Sequence, residues 1–142
     1  MRPVVKWPIG HVFLAYTIQQ IYNPYNSAKP LLESNIGVYC SYCERCIEDE
    51  AMHVEHIQPK SLPQYNHLEF EWTNFLVACH RCNGADNKGS KDVIYNDIHM
   101  PHLNNTFLSI AYFSDGTVGV KAGLDAVETA KATALIRLVG LD

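Results

Sequence analysis

Apolar residues recur along the chain with a spacing that changes from one segment to the next. The first segment has apolar residues at helical spacing: Ile9, Val12, Phe13 and Tyr16. This spacing predicts a helix over residues 9–22. The run "YNPYNSAKP" then interrupts the pattern, and we expect a second short helix over about residues 29–36, ending at Gly37. Residues 1–37 are therefore expected to be largely helical.

The pattern becomes strand-like in the middle and at the end of the chain. "AMHVEHI" predicts a strand. The apolar segment "TNFLVA" leads into "CHRC", and a helix is expected to start near Asn83. "TFLSIAYFSDGTVGVK" alternates around an Asp-Gly turn and predicts a hairpin. "LDAVETAKATALIRLVG" predicts a helix with Asp125 as N-cap, Glu128 three residues later and Gly140 past the end. The fold class expected from these elements is α+β.

Length and composition favour one globular domain over residues 1–142. The chain is long enough to bury a core, and its 47% hydrophobic content is typical of an ordered protein. No apolar run is long enough to cross a bilayer, and the opening "MRPVVKWPIG" lacks the apolar core of a signal peptide. We therefore expect a cytoplasmic protein without a membrane partner. The last helix ends close to the terminus, so we also expect a fragment of a longer chain.

The charge is acidic, with a formal net value of −4. Tight non-specific binding to nucleic acid usually requires a basic surface. Within residues 52–91 the charges cancel, with Glu55, Glu69, Glu71 and Asp86 opposing Lys60, Arg81, Lys88 and Lys91. If phosphate is the ligand, a bound cation or a partner protein is expected to supply part of the attraction.

Four of the five cysteines form two Cys-x-x-Cys pairs: Cys40, Cys43, Cys79 and Cys82. Four thiolates in this arrangement can close a tetrahedral site around Zn²⁺, and such a site is structural because no ligand position stays open. The alternative is a set of buried thiols with this spacing by chance, which is less common for two matched pairs in a cytoplasmic chain. Cys46 remains as a packing residue or a neighbour of the first pair.

Several short elements occur in an order that resembles the HNH endonuclease family, the ββα-metal nucleases. They are "YCSYC", "VEHIQPKS", "WTNFLVACHRCN" and a following lysine, and they cover about residues 38–91. The resemblance implies a zinc-stapled ββα-metal core, flanked by the N-terminal helical part and a C-terminal hairpin and helix over residues 92–142. More loosely, "MRPVVK", the Trp-x-Asn form and "LVGLD" resemble HNH proteins associated with retrons and ATPase-linked anti-phage systems. An ATPase or another defence protein is the partner that this resemblance implies.

The resemblance implies a role for each polar residue of the motif. His56 matches the general base, and Glu55 matches the acidic ligand of a divalent cation. Asn74 matches the central asparagine, which orients the base and its loop. Asn83 matches the last position, commonly a histidine ligand, and the amide favours Mg²⁺ or Mn²⁺ over Zn²⁺ at the catalytic position. Asn87, four residues later, is expected on the same helical face as an alternative or additional ligand.

The requirements of phosphodiester hydrolysis explain why these residue types would occur together. It requires a water activated by a neutral histidine and a cation that stabilises charge on the phosphoryl oxygens. Lys60 is placed to contact phosphate, and Lys88 is either a second phosphate contact or part of a solvated helix face. His53 is either a further ligand or an ordinary strand residue. The expected function is metal-dependent cleavage of DNA that leaves a 5′-phosphate.

Two other functions remain open from the sequence. The first is a non-catalytic zinc-binding adaptor that docks on nucleic acid or protein, although an adaptor needs neither the Glu-His pair nor Asn83. The second is an HNH nuclease directed at RNA, which the sequence does not distinguish from a DNA nuclease.

Overall fold

A computed structural model describes residues 1–47 and 52–142. Within that part of the chain the strands form three two-stranded antiparallel sheets. The strands are β1 (Val12–Phe13), β2 (Tyr16–Thr17), β3 (Met52–His56), β4 (Phe75–Cys79), β5 (Ile110–Tyr112) and β6 (Val118–Val120). The α-helices are α1 (Lys29–Ile36), α2 (His80–Asn83) and α3 (Ala126–Val139). The predicted α+β class is confirmed, and β3 covers the strand predicted from "AMHVEHI", whose first residue lies outside the described residues.

The N-terminal segment contains a small hairpin where a helix was predicted. Strands β1 and β2 pair antiparallel, and Leu14 between them adopts a left-handed conformation with φ of 53°. The helix prediction for residues 9–22 is wrong because the periodic apolar residues do not face a core: Val12 and Tyr16 are each 62% exposed. By contrast α1 is confirmed, and it ends at Gly37, where a φ of +87° favours glycine.

The central unit is a ββα arrangement, as the resemblance implies. Strands β3 and β4 pair from Met52 opposite Cys79 to His56 opposite Phe75, and every residue of β4 is buried. Helix α2 follows at once because the Cys79 sulfur accepts a hydrogen bond from the Cys82 amide and caps the helix. The prediction of a helix beginning near Asn83 is wrong, since α2 ends there.

The C-terminal hairpin and helix are confirmed. Strands β5 and β6 pair antiparallel, and the side chain of Asp125 accepts a hydrogen bond from the Glu128 amide at 2.8 Å to cap α3. Gly140 ends α3 in the left-handed conformation, where a Cβ would also lie 2.0 Å from Oδ1 of Asn87. Among the described residues, no helix is both long and apolar enough to span a membrane.

Candidate functional site

The two cysteine pairs meet at the start of α2. The sulfur atoms of Cys40, Cys43, Cys79 and Cys82 all lie within 4.8 Å of one another. The Sγ atoms of Cys43 and Cys79 are 3.8 Å apart, too far for a disulfide, and all four residues are free thiols. Tetrahedral zinc with Zn–S bonds of about 2.3 Å separates its sulfurs by roughly 3.8 Å. The cluster therefore has the donor atoms and the spacing to hold a metal ion.

Hydrogen bonds within the cluster also suit a metal. The backbone amide of Cys79 donates to the Cys40 sulfur at 3.4 Å, and that of Cys82 donates to the Cys79 sulfur at 3.5 Å. Hydrogen bonding from Cys40 lowers the pKa of the Cys43 thiol, whereas hydrogen bonding with Cys40 raises the pKa of Cys82. Without a cation these thiols do not all ionise together. A bound metal would stabilise the state in which all four are thiolates.

A cavity of about 750 Å³ opens beside β3 and collects four of the seven predicted site residues outside the cysteine cluster. Its lining includes Glu55, His56, Lys60, Asn83 and His53. The cavity is thus lined by β3, the loop after it and the end of α2. These parts meet because β4 pairs with β3 and leads directly into α2. Among the described residues, however, no group of three or more histidine, cysteine or carboxylate ligands gathers here, since the only such group is the cysteine cluster.

His56 is held in one orientation. Its Nε2 lies 2.8 Å from the backbone oxygen of Glu69. Because a carbonyl oxygen only accepts, Nε2 carries the proton and Nδ1 of the neutral ring keeps its lone pair. The rings of Tyr25 and Phe75 pack edge-on against the imidazole, with centroids 4.7 and 5.3 Å away. Burial lowers the pKa of His56 below its usual value, so the ring is neutral at pH 7 and able to accept a proton.

Glu55 lies in a buried ion pair. Its Oε1 is 3.2 Å from Nζ of Lys88 and accepts a hydrogen bond from the Tyr42 hydroxyl, also at 3.2 Å. The side chains of Glu55 and Lys88 are 1% and 0% exposed. Burial raises the pKa of Glu55, and the Lys88 charge opposes that shift. One carboxylate oxygen is therefore committed to the protein, and any cation in the cavity would depend on the other.

Lys88 lies in the protein interior, whereas a contact with phosphate was predicted for it. Its ammonium also donates to the backbone oxygens of His56 at 3.0 Å and Gly89 at 3.3 Å. A fully buried ammonium with these acceptors does not reach a nucleic-acid backbone, so the predicted phosphate contact is replaced by a role in holding β3. The sequence analysis missed Tyr42, although its position between the paired cysteines places it beside the cluster.

Asn74 supports the loop after His56, and its side-chain hydrogen bonds go to that loop and not to the imidazole. Its Oδ1 accepts from the Gln58 amide, and its Nδ2 donates to the Gln58 oxygen, both at 2.9 Å. A further bond reaches the oxygen of Leu68 at 3.3 Å, and the backbone oxygen of Asn74 accepts from Ile57 at 2.9 Å. Asn74, which is 2% exposed, is thus a positioning residue for the segment that follows His56.

Of the two candidate ligands after the second cysteine pair, only Asn83 faces the cavity. Its Nδ2 lies 3.4 Å from Nδ1 of His53, and burial lowers the pKa of that histidine. Asn87 instead donates to the Arg81 oxygen at 2.8 Å, and its Oδ1 lies against Gly140. The prediction that Asn87 shares a helical face with Asn83 fails because α2 has already ended.

Lys60 lies at the rim of the cavity. Its ammonium is 3.1 Å from Oε1 of Glu69 and lies 4.9 Å from the centre of the Tyr25 ring. The side chain is 39% exposed, so it can exchange this weak surface pair for a ligand phosphate. Unlike Lys88, it remains a candidate for a nucleic-acid contact.

Comparison with known families agrees with this geometry. Residues 40–89 match the family model described as HNH endonuclease, which begins at the first cysteine of the cluster and ends just after Lys88. The chain contains an HNH endonuclease domain. Within this HNH domain the ββα unit carries the motif histidine on β3, the central asparagine before β4 and the last motif residue on α2.

Two curated proteins are similar to part of the chain. Septu protein PtuB from Bacillus thuringiensis is 44% identical over 77 residues, which are 53% of this chain and 28% of that protein. Septu protein PtuB from Bacillus mycoides (strain KBAB4) is 32% identical over 74 residues, which are 44% of this chain and 25% of that protein. The similarity thus spans about a quarter of the length of the curated relatives that this chain matches.

Proposed function

We propose that this HNH chain is a metal-dependent endonuclease that hydrolyses DNA phosphodiester bonds in anti-phage defence. The observation that supports it best is the state of His56, a neutral ring whose Nε2–H is bound to the Glu69 oxygen at the wall of an open cavity. A histidine with a purely structural role is not expected to line a cavity that also contains a carboxylate and an amide. The PtuB similarity and the looser resemblance to defence-associated HNH proteins supply the biological setting.

The proposed reaction needs one base and one leaving group. Nδ1 of His56 takes a proton from a water molecule, and the water oxygen attacks phosphorus. The bond between phosphorus and the 3′ oxygen breaks, the 3′ oxygen takes a proton from solvent, and the product keeps a 5′-phosphate. Lys60 at the rim contacts a phosphate of the bound strand. Asn74 and Lys88 hold the backbone that follows the imidazole and do not exchange protons with the substrate.

The donor atoms that remain in the cavity fit a hard divalent cation with few protein ligands. They are the second oxygen of Glu55 and the amide oxygen of Asn83, and neither is a soft ligand. A bound Mg²⁺ or Mn²⁺ would neutralise charge on the phosphoryl oxygens and on the leaving oxygen. Because Lys88 already balances much of the Glu55 charge, we expect weak binding that the substrate phosphate strengthens.

At the cysteine cluster we propose a structural Zn²⁺. The four sulfurs offer no open position for substrate, and they join the segment before β3 to the start of α2. The metal would therefore fix the two ends of the segment that carries Glu55 and His56, and its role is in folding.

A nicking assay tests the proposed activity. Supercoiled plasmid and a structured RNA are incubated with Mg²⁺, Mn²⁺ or chelator, using the unaltered protein, His56→Ala and the matched control His67→Ala. His67 is an exposed histidine that does not line the cavity. We expect plasmid cleavage that chelator stops and that His56→Ala lowers by about 10²–10⁴-fold, with His67→Ala unchanged.

The same assay separates the other two functions. Cleavage of RNA but not of plasmid would replace DNA with RNA as the substrate. Binding without cleavage of either, in zinc-loaded and folded protein, would favour the non-catalytic adaptor. Activity of His56→Ala within a few-fold of the unaltered protein would show that the base is another group.

A partner protein is part of the proposal because the chain supplies little positive surface. The net charge is −4, and the ammonium of Lys88 is buried beside Glu55. We propose that an ATPase or another defence protein brings the substrate to the cavity. Co-expression with the ATPase of an ATPase-linked anti-phage system, followed by size-exclusion chromatography, tests whether the two proteins elute together. Separate elution at low salt would contradict this part of the proposal.

A further inference from the structure

A second cavity, of about 710 Å³, shares no lining residue with the first. Its walls are mostly apolar and aromatic, and its polar residues include Lys6 and His102. The aromatic residues of the lining are Trp7, Trp72 and Tyr95. This size and composition are typical of a pocket for a small organic molecule.

Lys6 is partly buried and lines this cavity without a carboxylate nearby. Its ammonium donates to the backbone oxygen of Trp72 and lies 4.8 Å from the centre of the Trp72 ring. Within residues 1–47 and 52–142, Lys6 takes part in no ion pair, and the cavity lining contains no acidic residue. Burying an ammonium without a counter-charge is unfavourable, and here burial lowers the pKa of Lys6 to about 7. The site is thus deficient in negative charge.

His102 adds a second basic group with an unused atom. Its Nδ1 is buried and has no hydrogen-bond partner in the described part of the chain. Its ring lies edge-on to Tyr95, with centroids 5.8 Å apart. Burial, reinforced by the neighbouring Lys6 charge, lowers the pKa of His102 to about 4. At neutral pH the imidazole is therefore uncharged and can offer a hydrogen bond to a ligand.

The wall that carries Lys6 is fixed in place. The side chain of Asn35 accepts from the Trp7 amide at 2.7 Å and donates to the Val5 oxygen at 3.0 Å. The indole of Trp72 donates to the Trp7 oxygen at 2.9 Å. These bonds hold the backbone on both sides of Lys6, so the basic group and the aromatic wall are arranged before any ligand arrives.

We propose that this cavity is a binding site for a small aromatic organic anion, whose ring packs between the tryptophan-lined walls and whose acidic group pairs with Lys6. Charge complementarity determines the choice of ligand, because an apolar cavity with an uncompensated ammonium favours an apolar molecule that carries one negative group over a neutral one. The lining also contains Gln58 and Asn74, the pair that supports the loop after His56. A bound ligand would therefore contact residues that support the proposed nuclease site. The binding proposal does not depend on the nuclease activity.

Two fluorescent probes of similar ring structure test the proposal on the unaltered protein. The anion 8-anilinonaphthalene-1-sulfonate is compared with neutral N-phenyl-1-naphthylamine. The chain has two tryptophans, Trp7 and Trp72, and both line the cavity, so a probe bound there must accept energy from tryptophan, and the Lys6 variants below assign the place of binding. We expect saturable binding of the sulfonate with energy transfer. Absence of saturation, or of energy transfer, would overturn the proposal.

Variants then test the role of the charge. Lys6→Met keeps most of the side-chain volume and removes the ammonium, Lys6→Arg keeps a charge, and Lys91→Met is the matched control on an exposed lysine outside the cavity. We expect Lys6→Met to weaken sulfonate binding by about tenfold, with Lys6→Arg and Lys91→Met within a few-fold of the unaltered protein. Binding of the neutral probe should change less than twofold, by the same reasoning about charged contacts. Equal losses for both probes would overturn the assignment to Lys6.

A competition experiment avoids any dependence on the folding of the variants. Indole-3-acetate and indole-3-acetamide have the same ring and differ in the charge of the side chain. The acetate should displace the bound sulfonate from the unaltered protein at a clearly lower concentration than the acetamide. Equal displacement would show an apolar pocket without preference for anions and would refute the proposal.

Discussion

The buried pair between Glu55 and Lys88 gives a prediction whose magnitude follows from its geometry. At 3.2 Å, with an effective dielectric constant of about 20, two unit charges attract by roughly 5 kcal/mol. Lys88→Met removes this attraction and leaves Glu55 buried without its counter-charge. The substitution also leaves the backbone oxygens of His56 and Gly89 without this donor. We expect the free energy of unfolding to fall by about 3–5 kcal/mol.

A double-mutant cycle isolates the pair from these other losses. The free energies of unfolding of Lys88→Met, Glu55→Gln and the double variant are measured by urea denaturation in zinc-containing buffer, followed by circular dichroism. Because the double variant no longer buries a lone charge, its loss should be smaller than the sum of the single losses by at least about 2 kcal/mol. If Lys88→Met does not fold while the double variant does, the coupling is present in a stronger form.

The chain contains a matched control for burial. Lys60 and Glu69 form a pair at 3.1 Å, but their side chains are 39% and 35% exposed. Solvent screens such a pair, so the same cycle with Lys60→Met and Glu69→Gln should give a coupling below about 1 kcal/mol. Equal couplings for the two pairs, or additive losses for Lys88 and Glu55, would refute the reasoning that burial makes this pair strong.

Three further predictions concern the metals and Lys6. Protein purified without added metal should contain about one zinc per chain by elemental analysis, and Cys82→Ser should lose both the zinc and cooperative unfolding. Asn83→Ala should raise the Mn²⁺ concentration for half-maximal cleavage. Asn87→Ala should not raise it, because the Asn87 amide points to Gly140. Equal effects of the two substitutions would show that the amide of Asn83 is not a ligand. Burial lowers the pKa of Lys6 from its ordinary value of 10.5 to about 7 in the folded state, so the unfolded state binds more protons between these values. From pH 7 to 9 the free energy of unfolding of the unaltered protein should therefore rise relative to Lys6→Met by up to about 1.4 kcal/mol per pH unit, and parallel stability curves would contradict the buried charge.

Local signals in the sequence were sufficient where the structure depends on neighbouring residues. Helix α3 follows from Asp125 and Gly140, because a cap and a left-handed stop act within one turn. The cysteine cluster follows from two pairs whose spacing is set by the metal they can hold. The ββα order was available through the resemblance of the motif to a known family, and the family match over residues 40–89 agrees with it.

The incorrect predictions concern features that depend on distant parts of the chain. Apolar periodicity over residues 9–22 describes one face, but a helix forms only if a core is there to receive it, and Ile9 remains 47% exposed. The position of Asn87 depends on where α2 ends, and the helix stops at Asn83 with Gly84 as its C-cap. Lys88 looked like a surface residue because its partner, Glu55, lies in a strand far away in the sequence.

The same distant contacts explain how a short motif can hold the imidazole of His56, the proposed base, in position. Three different atoms near His56 are fixed from three different segments: Nε2 by the Glu69 oxygen, the backbone oxygen by Nζ of Lys88, and the next amide by the Asn74 oxygen. With both the ring and its backbone held, the imidazole loses little freedom when substrate binds, which is the condition for efficient proton transfer. Lys88 thus acts on both residues, since the ammonium that holds the backbone oxygen of His56 also neutralises part of the Glu55 charge. A cation in this cavity would bind beside a carboxylate whose charge is already shared, and the phosphate of the substrate would become part of its site.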